Sequence, residues 1–146
     1  MSQLGDAVRV AMADTFAMYL KTHNYHWNVE GENFYQYHEF FKNLYEELFA
    51  AVDVLAEEIR GLNEYAPGSF SRFSELSSIE DATTVPDGLT MAANLLKDND
   101  TVIASLMNAF KLAEAADKVG LSNKLQDRID IHTKHGWMLR STTKNR

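Results

Sequence analysis

Apolar and polar positions alternate along this chain with the period of an α-helix for most of its length. The clearest run follows Asn33. Tyr37, Phe41, Leu44, Leu48, Val52, Leu55, Ile59 and Leu62 recur at steps of three and four, one core-facing stripe on a long helix. Asn33 suits its N-cap, with Gln36 placed to reach back as in a capping box. Gly61 and Asn63 suit its end. Upstream, Leu4, Val8, Ala11, Met12, Thr15, Met18 and Tyr19 predict a first helix from Leu4 to about Asn24. Glu30-Gly31-Glu32 makes the turn between the two. From Glu64 to Asp87 the pattern breaks around Pro67-Gly68-Ser69 and Pro86. Within that connection Leu76 to Ala82 is expected to form a short extra helix. Leu96, Ile103, Met107, Phe110 and Ala113 mark a third long helix, Leu89 to Val119, closed by Gly120. Ser122 then suits the cap of a fourth, running to about Thr142 with Leu125, Ile129, His132, Gly136 and Leu139 along it. The expected fold is all-α: a four-helix bundle with one long crossover carrying a short helix, in a single domain over residues 1–146. A crossover of that length frees the helices it joins from being antiparallel neighbours.

Composition narrows the function classes. With no cysteine, neither disulfides nor thiolate metal sites are available. Fourteen Lys and Arg against twenty-one Asp and Glu give a net charge of −7, which repels nucleic acid unless positive charge is segregated and favours gathering cations. No apolar run reaches the length of a membrane span. The opening Met-Ser-Gln-Leu-Gly-Asp has no signal- or transit-peptide pattern, so a cytoplasmic location is expected.

The candidate chemistry lies between Lys21 and Arg60. His26, His38, Asp53 and Glu57 are a first-row metal ligand set of imidazoles and carboxylates. At about 100° per residue, His38, Lys42, Asp53 and Glu57 share a sector roughly 100° wide, centred about 130–140° from the apolar stripe. Tyr45, Phe49 and Ala56 share that flank, and an apolar flank with ionisable groups at intervals suits a partner surface. Asp53 and Glu57, at i and i+4, are placed to share a metal. His38 precedes Asp53 by roughly 22 Å of helix axis, too far for one ion with bonds near 2 Å. If all four bind one centre, a second copy must contribute half of it. An antiparallel pairing about a two-fold then creates two equivalent sites per dimer. His26, from the preceding helix, is placed to join His38.

Bundles with one long crossover include the ferritin-like folds, and full-size ferritins build their site inside one bundle from Glu-x-x-His motifs. No histidine here has Glu three residues before it. The stretch His23-Asn-Tyr-His26-Trp27-Asn-Val-x-Gly31-x-x-Phe34-x-x-x-His38, followed by Asp53-x-x-Ala56-Glu57, instead resembles the Dps family, the miniferritins. The resemblance continues through Ala66-Pro67-Gly68-Ser69, Leu76-Ser-Ser-Ile79-Glu80 and Arg128-Ile129-x-x-His132-x-Lys134-x-x-Trp137-Met138-Leu139, covering nearly the whole chain. It implies a dodecameric cage in which Fe(II) is oxidised at two-fold interfaces, preferentially by hydrogen peroxide rather than oxygen, and ferric mineral is stored. The matched ferroxidase ligands are His26, His38, Asp53 and Glu57, with Trp27 as an electron donor. The ligand set alone leaves zinc or manganese open.

Two positions depart from the family pattern. Lys42 stands where an acidic residue is usual, which is expected to weaken one of two metal positions by repulsion; it is also placed to pair with Glu46 at i+4. Lys124 falls among the acidic pore residues the family resemblance implies, leaving Asp117, Asp127 and Asp130 as pore candidates. Taken singly, His23, His132 and His135 read as polar or helix-end residues, and Trp137 and Met138 as core or contact residues. The alternative function is a DNA-protecting cage with a weakened ferroxidase site. No Lys or Arg precedes Arg9, and the basic C-terminus holds Arg140, Lys144 and Arg146, so DNA binding is expected to be weak and salt-sensitive.

Overall fold

A computed structural model describes residues 2–144; Arg146 of the basic C-terminus lies outside them. Its five helices are α1 (Gln3–Asn28), α2 (Phe34–Gly61), α3 (Phe70–Leu76), α4 (Gly88–Ala115) and α5 (Val119–Thr142). The first turn of α1 is capped by Ser2, whose Oγ accepts from the Gly5 amide at 2.9 Å. Asp87 caps α4 in the same way through the Thr90 amide at 2.8 Å.

Side-chain pairs give the helix directions. Tyr25 meets Asn94, Lys21 meets Asp98 and Asp14 meets Ser105, so α1 and α4 are antiparallel. His26 meets His38 and Tyr19 meets Tyr45, so α1 and α2 are antiparallel as well. It follows that α2 and α4 run the same way. The chain must therefore travel the length of the bundle between them, which is why the crossover is long. Leu48, Leu55 and Ile59 of α2 pack with Met18 of α1, Leu95 and Leu106 of α4 and Leu125 of α5 in one core.

Several boundaries differ from the expectations. The first helix continues to Asn28, carrying His26 and Trp27 on regular helix. Asn33 sits at the N-cap of α2 in the left-handed region, φ 64°, with no side-chain cap bond, so the capping box does not form. The short helix is Phe70–Leu76 rather than Leu76–Ala82, because Ser69 caps it by accepting from the Arg72 amide at 3.2 Å. The third long helix ends at Ala115 rather than Val119. Asp117 takes the left-handed region at φ 57°, and the Lys118 amide donates back to Ala113 at 2.9 Å. Ser122 consequently lies inside α5, not at its cap. The buried stripe of α4 is Met91, Leu95, Val102, Leu106, Ala109 and the expected Ala113, with Leu96, Ile103, Met107 and Phe110 only half-buried.

The largest surprise is polar. His132 is buried along with Leu125 and Leu139 of the expected α5 stripe, and His135 is buried beside it, so neither is a helix-end residue. Arg128 forks onto both carboxylate oxygens of Glu47 and donates to His132 Nε2 at 3.0 Å. The His132 Nδ1–H donates to Asn99 Oδ1 at 2.7 Å, and His135 Nε2 lies 2.8 Å from Glu47 Oε1. Burial, aided by the Arg128 charge, pushes His132 down to about 3. Burial alone would raise Glu47, but bonds from His135 and Arg128 outweigh it and hold the carboxyl at about 2.

Both shifts make the fold acid-sensitive. The unfolded chain binds a proton at His132 near the ordinary 6.5 while the folded chain resists until about 3, so stability falls as pH drops through that interval. Glu47 contributes stability that is complete above its ordinary 4.5 and lost as pH falls toward about 2. The urea midpoint of metal-free protein is expected to fall between about pH 7 and about pH 5, and His132→Gln to flatten that slope. A wild-type midpoint independent of pH contradicts this assignment.

Candidate metal centre

His26 lies in the last turn of α1 and His38 in the second turn of α2. The α1–α2 turn brings them face to face, with ring centroids 3.9 Å apart and planes 17° from parallel. Each ring reaches the other residue's backbone. His26 Nδ1 lies 2.7 Å from the His38 carbonyl oxygen, and His38 Nδ1 lies 2.8 Å from the His26 carbonyl oxygen. A carbonyl only accepts, so both Nδ1 atoms must carry the proton. Both Nε2 atoms are then left as lone-pair donors, with the rings fixed in orientation. This is the backbone-to-imidazole support found behind metal-ligating histidines.

Asp53 and Glu57 lie further along α2 and are exposed. The helix axis separates them from His38 by roughly 22 Å. Among the described residues of one protomer, no group of three His, Asp or Glu side chains closes around a cation. The structure thus brings His26 and His38 together, leaves Asp53 and Glu57 one turn apart on the same helix, and keeps the two halves separate.

The surface beside the histidines is aromatic. His23 is sandwiched between Tyr45, at 3.8 Å and nearly parallel, and Trp27, at 3.9 Å. Tyr19 Oη lies 3.0 Å from His23 Nδ1. Trp27 and Phe49 are about three-fifths exposed, at 60% and 61%, an apolar area of the kind that partners cover. Burial raises the Tyr19 phenol above its ordinary value, with Tyr45 adding to it, and burial lowers His23, with His26 adding to it. Lys42 pairs with Glu46 at 3.9 Å, as the i+4 spacing suggests. The His23–Tyr45 stack and the Tyr19 contact escape a reading for ligands alone. Their signal is the i, i+4 spacing of Tyr19, His23 and Trp27, which places three rings along one edge of α1.

Comparison with known proteins agrees with this architecture. The family profile described as a ferritin-like domain matches residues 6–145, which places the chain among the ferritin-like helical bundles. The DNA protection during starvation protein of Brevibacillus brevis is 33% identical over 129 residues, 88% of this chain and 86% of the relative. General stress protein 20U of Bacillus subtilis (strain 168) is 33% identical over 142 residues, 95% of this chain and 96% of the relative. Among solved structures, a Dps protein from Vibrio cholerae O1, described as a member of a broad superfamily of ferritin-like diiron-carboxylate proteins, superposes with a TM-score of 0.92. It is 28% identical, across 95% of this chain and 87% of that one. A Dps protein from Bacillus brevis gives 0.91 at 28% identity, across 97% and 98%. The chain belongs to the Dps family of miniferritins.

The crossed carbonyl bonds make a spectroscopic prediction. Ring-nitrogen NMR of the metal-free protein, taken where both imidazoles are neutral, should find the Nδ1–H tautomer at His26 and His38 alike. An Nε2-protonated tautomer at either ring contradicts the arrangement.

Proposed function

We propose that this chain is a ferroxidase and iron store. It oxidises Fe(II), preferentially with hydrogen peroxide and less readily with oxygen, at centres shared across a two-fold. His26 and His38 bind the ion with Asp53 and Glu57 of the partner subunit, and the ferric product is kept inside a dodecameric cage. Consuming ferrous iron and peroxide together removes the reactants that form hydroxyl radical, so the cage protects a cytoplasm under oxidative stress. Residues 1–146 act as one unit in this assembly.

The observation that carries this reading is the pair of crossed Nδ1-to-carbonyl bonds, which prepares two imidazole Nε2 donors without a carboxylate beside them. Imidazole plus carboxylate suits Fe(II), and also admits zinc or manganese as substitutes. Two ferrous ions each give one electron to a peroxide. Its O–O bond breaks and two protons complete two waters. The chain's own part is to orient the imidazoles and to present anionic oxygens where positive charge increases. Lys42, paired with Glu46, places an ammonium one turn from His38, which weakens a second cation position and leaves one strong ion per centre. Asp117, Asp127 and Asp130 are exposed and remain candidates for guiding the cation inward, opposed locally by Lys124.

Anaerobic Fe(II) titration followed by peroxide tests this directly. Wild-type protein should show rapid ferric absorbance. His38→Ala removes one ligand and the bond orienting the other. Its Fe(II) affinity should fall by at least the roughly 10–100-fold that loss of an orienting contact alone costs. Slow oxidation by wild-type and variant alike sinks the ferroxidase reading. A gel shift at physiological salt that disappears on truncation after Arg140 would favour the DNA-protecting alternative instead.

A further inference from the structure

One ferrous ion yields one electron, and peroxide needs two to become water. Where one ion occupies the centre, the second electron must come from a later ion, from outside, or from the protein. The rings beside His26 form a continuous path for the third source. Tyr45 stands 5.2 Å from the His26 ring, and Tyr19 stands 6.3 Å from Tyr45, centroid to centroid. Oxidising a phenol at neutral pH is unfavourable unless its proton leaves with the electron, since the protonated radical cation is a very strong acid. Tyr19 alone among these rings has an imidazole nitrogen in hydrogen-bond contact with its hydroxyl, His23 Nδ1 at 3.0 Å. His23 in turn is held between Tyr45 and Trp27, so its nitrogen stays aimed at the phenol.

We propose that Tyr19 and His23 form a proton-coupled electron donor that completes peroxide reduction when a single ferrous ion occupies the shared centre. This rests on the ferroxidase reading above. The step balances. Fe(II) gives one electron and becomes Fe(III). Tyr19 gives the other, through Tyr45, and its phenolic proton moves to His23 Nδ1. The O–O bond breaks, two solvent protons are taken up and two waters leave. What remains is a neutral Tyr19 radical beside a His23 imidazolium. The next ferrous ion resets the pair: its electron returns to the ring and the proton moves back from Nδ1 to the phenol oxygen. Two ferrous ions are still consumed per peroxide, but they need not be bound together, which suits a centre that holds one ion.

Two measurements on the assembled protein separate this from the ferroxidase reading. In iron-free protein, azidyl radical generated by pulse radiolysis oxidises tryptophan, and the transient spectrum follows the radical from there. The wild type should pass the radical to a tyrosine, with slowing in D2O. Tyr19→Phe should lose that tyrosyl signal, and His23→Phe, which keeps a stacked ring, should lose the D2O effect. In the second, one Fe(II) per centre is mixed with peroxide and freeze-quenched. Ferric iron should form in wild type and Tyr19→Phe alike, with the tyrosyl paramagnetic signal missing only from the variant. An unchanged tyrosyl signal in Tyr19→Phe in either experiment overturns the proposal. Absence of ferric iron in the wild type overturns the ferroxidase reading and with it the peroxide step, while the iron-free experiment still decides whether Tyr19 and His23 work as a pair.

Discussion

Two crossed hydrogen bonds, each from an imidazole Nδ1 to the other histidine's backbone carbonyl, tie the end of α1 to the start of α2. They give a partner to a carbonyl that the last turn of α1 leaves outside the helix ladder, add a second bond at the His38 carbonyl, fix both ring planes and determine which nitrogens remain free. All three effects come from one short turn, Val29 to Asn33, with Val29 buried beneath it and Asn33 in the left-handed region. A different turn would leave two histidines on the surface with no common orientation. The carboxylate half needs no such support. Asp53 and Glu57 are adjacent simply because they are one turn apart on a straight helix.

The bundle that holds this turn in place has a second polar anchor at its interior. Arg128 lies among Glu47, His132 and His135. Its buried guanidinium neutralises the half-buried Glu47 carboxylate. Removing Glu47 would leave the Arg128 guanidinium buried without its carboxylate, which is far costlier than the pair itself. The paired imidazoles lie instead at the α1–α2 surface, beside the exposed rings of Trp27 and Phe49.

Much of this is legible in the residues. The α2 stripe predicts Tyr37, Phe41, Leu44, Leu48, Val52, Leu55, Ile59 and Leu62 as core; the structure buries Phe41, Leu44, Leu48, Leu55 and Ile59 and packs Tyr37, Val52 and Leu62 half-buried against them. Its opposite flank predicts that His38 and Asp53 cannot meet within one chain. The α4 stripe is misplaced because Met91, Leu95 and Leu106 compete with Leu96, Ile103 and Phe110 on a helix apolar around much of its circumference, where periodicity alone does not choose a face. Asn33 looks like a capping residue, yet its backbone conformation turns the side chain away from that role. The interior role of His132 is hidden because its partners, Asn99 and Arg128, come together only through tertiary packing. The crossed histidine bonds are hidden for a related reason: side-chain types suggest the ligands, but the backbone groups that orient them have no letter in the sequence.

The central claim is that each reactive centre draws its imidazoles and its carboxylates from different copies of the chain. Co-assembly of two defective variants, His38→Ala and Asp53→Ala, measures this directly. Each alone should oxidise Fe(II) poorly. Cages assembled from an equal mixture should regain roughly a quarter of wild-type centres, because half the dimers are mixed and each mixed dimer has one intact centre of two. Mixed cages no more active than either variant alone would contradict the shared centre.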